Sequence, residues 1–280
     1  MSYFLSLGLE KEPFSNSPDP AFFYRSAAHN TVLQRLEISI RLKRGLNLIL
    51  GDVGTGKTTL CRTLVQCFAS DRDFLFFMIL DPSYKSEFQF LCALSKIMGI
   101  RQNLKSVMDY KEELLKFLFK KGVEENKTVV LLIDEGQKLT MDFLEVLRTL
   151  LNYETNEYKL LQLVIMAQLE ILPRLKKMRN LMDRVSLKYT INPLDFEETK
   201  KMIQFRIQKA GLNSGSSLFT EDATRLIFTY TQGYPRKIAT LCHHALETVV
   251  MKQRHIVDRD VIAGLINEQE QLKMETSNAG

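Results

Sequence analysis

Residues 51–58, Gly-Asp-Val-Gly-Thr-Gly-Lys-Thr, have the residue types and the spacing of a phosphate-binding loop. They match G-x-x-x-x-G-K-[ST] in full, after a predicted strand and before a predicted helix. The glycines let backbone N–H groups converge on phosphate oxygens, and the helix N-terminus adds a positive dipole. Lys57 offers a mobile cation to the outer phosphates, and Thr58 offers a hydroxyl to Mg²⁺. The segment predicts a site for a nucleoside triphosphate with Mg²⁺, built by Gly51, Asp52, Val53, Gly54, Thr55, Gly56, Lys57, Thr58 and Thr59.

Two adjacent acids end the apolar run at 129–133 and indicate that the triphosphate is hydrolysed. Asp134 could hold Mg²⁺ through water, and Glu135 could orient an attacking water or accept its proton. Successive side chains of a strand point to opposite faces, so both acids can approach one ligand only at the strand's end. Gln168 ends the next strand and is predicted to touch the terminal phosphate or the water. The alternatives are a charged pair that opens a loop and an ordinary loop glutamine.

The elements that must position these residues alternate between apolar strands and helices. Strands are predicted at 46–50, 74–80, 129–133, 160–166 and 185–191. After a first helix at 28–43, helices are predicted at 57–69, 86–98, 109–122, 140–152 and 169–178. Continuous apolar strands separated by helices predict an α/β fold: a five-stranded, mostly parallel sheet covered on both faces.

The strand pattern stops at residue 194, and helix signals replace it. Asp195 with Glu198 predicts a capping box, and Gly211 predicts the end of that helix. Thr220 and Asp258 can cap two further helices, and Pro235 suits a first helical position. The predicted domains are an irregular N-terminal arm (1–27), a core (28–194), an all-helical domain (195–270) and a flexible tail (271–280).

Composition restricts the class of protein but does not identify it. The net charge of +5 is too small to indicate a nucleic-acid ligand by itself. The basic clusters at 41–45 and 174–180 are either solvated faces or contacts for an acidic partner. No apolar run reaches the ~18 residues of a membrane-spanning helix, and the N-terminus lacks a signal-peptide pattern. Four cysteines without a CxxC pair favour a reducing, cytoplasmic compartment.

Together these segments resemble an AAA+ ATPase with a C-terminal lid domain. Within that superfamily the chain is similar to the ExeA-type general secretion pathway ATPases (protein A of that pathway), from Tyr3 to about Glu247. The arm and the GYPRKI segment are the more specific parts of the match. The stretches that carry it are LGLEKEPFSNSPDPAFFY, GDVGTGKTTL, LLIDEGQKL, MAQLEI, DRVSLKYTINPL and GYPRKIATLCHHAL.

The resemblance implies ATP as the nucleotide and roles for residues outside the two motifs. Arg184 would be an arginine finger that reaches the nucleotide of a neighbouring subunit in a ring or filament, with Arg179 as the alternative. Arg236 would be the sensor arginine that grips the terminal phosphate. Tyr24, in the arm, would pack near the adenine or in the core.

The sequence departs from the family pattern in three ways, and its purpose stays open among three alternatives. Gly136 stands where the family commonly has alanine after the acid pair, and AQLEI (167–171) stands where it commonly has GQPEL. Family members often continue into a transmembrane helix and a peptidoglycan-binding domain, so this sequence is either a short stand-alone member or part of a longer one. We expect Mg²⁺-dependent ATP hydrolysis that drives assembly or remodelling of a secretion or pilus machine. The protein would be cytoplasmic, or peripheral at the inner membrane, where it would bind a partner protein of that machine. The alternatives are an ATP-dependent DNA-binding regulator of the transposition type, which is less favoured, and a nucleotide-gated scaffold with little turnover.

Overall fold

The strands of the computed structural model coincide with the apolar runs of the sequence. They form one sheet in the order β2-β3-β4-β1-β5, in which every neighbouring pair is parallel. The three central strands are buried along their whole length. The predicted parallel sheet is therefore confirmed, with these bounds: β1 Leu46–Gly51, β2 Phe74–Ile79, β3 Thr128–Ile133, β4 Leu161–Ala167 and β5 Val185–Ile191.

Helices connect the parallel strands, and polar side chains cap several of them. Ser106 makes a capping box with Asp109, and Ser86 and Thr140 each accept a backbone N–H. The single helix predicted at 169–178 is instead a 3-10 turn at Leu169–Ile171 followed by a short helix, Leu172–Lys177. That helix ends because the backbone of Met178 leaves the helical region, and another short helix begins at Arg179. The helices are α1 Ala27–Arg41, α2 Lys57–Cys67, α3 Glu87–Ile97, α4 Val107–Phe119 (continued by a π-helical turn at Lys120–Glu124), α5 Met141–Leu150, α6 Leu172–Lys177 and α7 Arg179–Met182.

The C-terminal part is helical, as predicted. Asp195 caps its first helix by accepting the N–H of Glu198 at 2.7 Å, and Pro235 occupies the first position of its third. The last helix runs eight residues past the predicted end at 270, so most of the segment expected to be a flexible tail is helical. Its helices among the described residues are α8 Phe196–Lys209, α9 Glu221–Thr231, α10 Pro235–Met251 and α11 Arg259–Asn278.

The structure describes residues 3–15, 17, 19–100, 103–212 and 217–278, which fall into two units with separate apolar cores. The sheet unit comprises 27–53 and 57–191. The helical unit comprises 192–280 together with 1–26 and the loop residues 54–56. The arm, predicted as a separate irregular segment, contributes Leu9 and Phe14 to the helical core, and Glu10 donates its N–H to the carbonyl of Ala210 at 2.7 Å. Residues 1, 2, 16 and 18 of the arm and 279–280 of the tail lie outside the described residues.

Within the described part of the chain, none of the helices has both the length and the apolar character needed to cross a membrane.

Candidate functional site

The loop between β1 and α2 has the backbone conformation that a phosphate-binding turn requires. Gly54 and Gly56 have φ of +82° and +95°, where a side chain would strain the backbone. The helix α2 begins at Lys57, directly after the loop. Consecutive amides in such a turn, followed by a helix N-terminus, provide donors and a positive dipole for an anion.

Lys57 is held inside this loop by the loop's own carbonyl groups. Its Nζ donates to the carbonyl oxygens of Gly51 and Asp52 at 2.8 and 2.9 Å, and the residue is only 7 % exposed. Burial lowers the pKa of its ammonium, and the nearby carboxylates of Asp134 and Glu135 oppose that shift. A phosphate oxygen could replace either carbonyl as an acceptor, and its negative charge would further favour the ammonium form.

Thr58 and Asp134 form a pair of hard oxygen donors next to the lysine. The Thr58 hydroxyl donates to Asp134 Oδ2 at 2.5 Å, and the Glu135 N–H donates to Oδ1 at 3.0 Å. Asp134 is 2 % exposed, and this burial raises the pKa of its carboxyl group. Mg²⁺ is usually bound by one or two protein oxygens together with substrate phosphates and water, so this pair fits it. The described residues hold no group of three or more His, Cys, Asp or Glu side chains that could bind a metal unaided.

Glu135 leaves the strand geometry directly after Asp134. Its φ and ψ of +52° and +35° lie in the left-handed region, which costs a residue with a side chain about 1–2 kcal/mol. This backbone turn ends the alternation of β3. The two adjacent carboxylates are therefore not forced to opposite faces of the sheet, which is the condition that the sequence argument required.

Gln137, which was not among the residues predicted from the sequence, links the Glu135 carboxylate to the end of β4. Its Nε2 donates to Glu135 Oε2 at 2.6 Å, and its Oε1 accepts the backbone N–H of Gln168 at 3.1 Å. The residue is 8 % exposed. A glutamine two positions after an acid pair is an available signal in the sequence, but its second partner is set by the pairing of β3 with β4. Gln168 therefore lies near Glu135, as expected from two neighbouring parallel strands.

Gly136 lies where β4 leaves no room for a side chain. A Cβ at this position would stand 2.5 Å from Ile165 Cγ2, 3.1 Å from the Met166 carbonyl oxygen and 3.2 Å from Ala167 Cβ. In this chain an alanine at position 136 would therefore crowd β4.

Arg184 lies where the parallel strands begin, whereas the phosphate loop lies where they end. It directly precedes β5, whose first residue pairs with Leu46 at the start of β1, whereas the phosphate loop follows the end of β1. The six residues of β1 separate these two ends of the sheet, a distance of about 20 Å. The Arg184 Nη atoms donate to the Asn180 carbonyl at 2.9 Å and to Asn152 Oδ1 at 2.5 Å. Arg184 therefore cannot serve the phosphate loop of its own chain.

A cavity of about 780 Å³, lined by several basic side chains, lies at the amino ends of β1 and β5, close to Arg184. The Lys43 ammonium lies 3.9 Å from the ring centroid of Tyr158, and burial lowers its pKa. Burial, and then the charge of Arg184, lower the pKa of Lys159. The basic cluster at 41–45 thus contributes to this cavity, which is remote from Lys57 and is not the phosphate site.

Three further predicted residues take simpler positions. Arg179 begins α7 and is exposed, so it stays the alternative to Arg184. Arg236 lies in the first turn of α10, and its backbone N–H donates to the Gly54 carbonyl at 3.2 Å within the helical unit. Tyr24 packs against Phe205 with ring centroids 6.0 Å apart, which satisfies the core-packing alternative for the arm.

Comparison with known proteins gives a matching family and relatives of the same fold. Residues 40–175 match the AAA domain family. The chain is 32 % identical over 257 residues to General secretion pathway protein A of Aeromonas hydrophila; this covers 91 % of the chain but 46 % of that protein. The chain thus spans about half the length of this curated relative.

Solved structures with low sequence identity share the fold. The Aeropyrum pernix ORC2 protein superposes with a TM-score of 0.70 at 14 % identity, covering 92 % of this chain and 72 % of that one. Drosophila ORC bound to DNA gives 0.68 at 20 %, with coverage of 96 % and 66 %. The RuvB Holliday junction branch migration motor of Thermotoga maritima gives 0.58 at 14 %, with coverage of 88 % and 72 %.

Proposed function

The chain belongs to the AAA+ ATPases of the general secretion pathway protein A type, and from this premise we propose that it hydrolyses ATP to ADP and phosphate with Mg²⁺. The observation that carries the proposal is the cluster of Lys57, Thr58, Asp134 and Glu135 around one loop. A binding protein without turnover needs the lysine and the hydroxyl. Hydrolysis needs in addition an acid that orients the attacking water, and Glu135 stands next to Asp134 for that role.

Each residue of the cluster has one role in this proposal. The amides of residues 51–59 and the ammonium of Lys57 hold the phosphates. Thr58 and Asp134 hold Mg²⁺, which when bound neutralises charge on the outer phosphates. Glu135 orients the attacking water and accepts its proton.

Three residues would complete the site. Gln168 contacts the terminal phosphate or the water from the end of β4. Arg236 grips the terminal phosphate with its guanidinium. Arg184, or alternatively Arg179, acts on the nucleotide of a neighbouring copy in a ring or filament, where its charge stabilises the transferred phosphoryl group. The distance between Arg184 and the phosphate loop of its own chain supports an action between subunits.

We propose that turnover drives assembly or remodelling of a secretion or pilus machine, with the protein in the cytoplasm or peripheral at the inner membrane. The similarity to General secretion pathway protein A over 91 % of the chain supports this assignment. The partner would be an inner-membrane protein of that machine. The structures of ORC proteins support the fold alone, so DNA binding stays a less favoured alternative.

The activity is tested by phosphate release from ATP with Glu135→Gln as the central variant. We expect turnover at least about 100-fold below wild type with ATP affinity retained, because the phosphate loop and the magnesium ligands are untouched. Glu112→Gln is a matched control, since Glu112 is exposed on α4. Turnover by Glu135→Gln equal to wild type would refute hydrolysis through this acid. Binding without turnover in the wild type would favour the scaffold.

The purpose is tested by recovering partners of the Glu135→Gln protein, in which ATP stays bound. An envelope protein recovered only with ATP supports the proposed machine. ATP-stimulated, salt-dependent DNA binding without such a partner supports the transposition-type alternative.

A further inference from the structure

The Gln137 side chain is a buried amide whose two ends are both engaged in the candidate site. One end meets the Glu135 carboxylate at 2.6 Å and the other meets the backbone N–H of Gln168 at 3.1 Å. With 8 % of the residue exposed, solvent offers these groups little alternative bonding. A buried amide with one unmade bond would cost about 1–3 kcal/mol, so the arrangement is a fixed bridge.

The backbone partner determines which way the amide points. An N–H can only donate, so the atom that faces Gln168 must be the amide oxygen. The NH₂ group must then face Glu135, where it can only donate to the carboxylate. This bond occupies Glu135 Oε2, and no other side chain of the described residues donates to Oε1, which can therefore accept from a water molecule.

The strand order explains why Gln137 can connect the carboxyl ends of β3 and β4, next to the phosphate loop. Gln137 follows β3 by four residues and Gln168 follows β4 by one, and β3 and β4 are parallel neighbours. The bridge therefore ties the turn that carries Glu135 to the adjacent strand end. Without it, the left-handed turn at Glu135 would be held by fewer contacts.

We propose that Gln137 is a positioning residue for hydrolysis. It holds the Glu135 carboxylate toward the attacking water and fixes the position of that carboxylate relative to the end of β4. This inference rests on the proposed function. It predicts that loss of the donor misplaces the carboxylate but leaves the phosphate loop, and therefore nucleotide affinity, intact. A misplacement of about 1 Å costs on the order of 100-fold in rate.

Two variants of similar size separate the two hydrogen bonds. Gln137→Glu keeps an oxygen to accept the Gln168 N–H but opposes the Glu135 carboxylate with a second carboxylate. Gln137→Met loses both bonds. At mildly alkaline pH we expect both variants to lower kcat on the order of 100-fold, with KM for ATP and calorimetric affinity for ADP within about threefold of wild type. Wild-type turnover by Gln137→Glu would overturn the proposal, since anchoring Gln168 would then suffice.

The chain offers a matched control for the structural cost of removing a bridging amide. Gln162 is fully buried, accepts the Gly45 N–H at 2.7 Å and donates to the Lys159 carbonyl at 2.8 Å, at the opposite edge of the sheet. Gln162→Met should lower Tm about as much as Gln137→Met while kcat stays within about threefold of wild type. An equal fall of kcat in both variants would assign the effect to lost stability and overturn the proposal.

A double-mutant cycle separates failure of this inference from failure of the proposed function. If Gln137 acts through Glu135, then Gln137→Met on the Glu135→Gln background should cause no further loss of kcat. A further loss of about tenfold or more would contradict action through Glu135. If Glu135→Gln alone leaves kcat unchanged, the proposed function fails first. A kcat above wild type in Gln137→Met would show that the amide restrains Glu135 and would also overturn the proposal.

Discussion

Gly136→Ala provides a quantitative test of how closely the acid-bearing turn packs against β4. The added methyl would stand 2.5 Å from Ile165 Cγ2. This atom is bonded directly to the Cβ of a buried strand residue, so the surrounding core keeps it from moving away. Gly136 is not among the residues with positive φ, so alanine suits the backbone itself. The predicted cost therefore comes from overlap alone.

The magnitude follows from the three contacts. Overpacking a well-packed core by one methyl costs about 1–3 kcal/mol, which is roughly 3–10 °C in Tm for a unit of this size. The contacts at 3.1 and 3.2 Å need shifts of only a few tenths of an ångström, so Ile165 carries most of the cost. Because Gly136 lies between Glu135 and Gln137, the same shift should lower kcat with little change in KM.

The assay is urea unfolding of four proteins: wild type, Gly136→Ala, Ile165→Ala and the double variant. Ile165→Ala alone should cost about 2–5 kcal/mol as a cavity, and it also removes the clashing Cγ2 methyl. We therefore expect the double variant to be more stable than the sum of the single changes by about 1–3 kcal/mol. Gly264→Ala is the matched control, because its Cβ meets no atom within 4 Å in α11, and it should stabilise by about 0.5–1 kcal/mol. Additive single effects, or wild-type stability of Gly136→Ala, would refute the packing argument.

Three further predictions concern the metal, the neighbouring subunit and the helical unit. Thr58→Ala removes one of the two proposed magnesium ligands, so the gain in ATP affinity from Mg²⁺ should fall about tenfold or more when it is measured by calorimetry with and without EDTA. An unchanged gain would exclude Thr58 as a ligand. Arg184→Ala and Glu135→Gln should each be inactive, and mixing them should restore turnover because each supplies what the other lacks; no recovery would argue against action between subunits. Gly233→Ala should destabilise the protein by about 3 kcal/mol or more in urea unfolding. The φ of Gly233 is +73°, and an added Cβ would overlap the Leu194 carbonyl oxygen. Wild-type stability of this variant would contradict the prediction.

The sequence alone predicted those parts of the fold and site that depend on neighbouring residues. Strands appear as apolar runs, and the phosphate loop appears as glycines at fixed spacing before a helix. Both signals are local, so the five strands, their parallel pairing and the family resemblance were predicted and are confirmed. The roles of the site residues stay predictions: Lys57, Thr58, Asp134, Glu135, Gln168, Arg184 and Arg236.

Other features depend on residues that are distant along the chain, and only the tertiary structure decided them. Strand periodicity carries no information on lateral order, so the placement of β4 between β3 and β1 came from packing. That placement gives Gln137 its second partner and excludes a side chain at Gly136. The parallel pairing of β5 with β1 separates Arg184 from the phosphate loop by the length of β1, because Arg184 precedes β5 whereas the loop follows β1. The residue types specify the chemistry that can occur, and the sheet determines which of these residues meet.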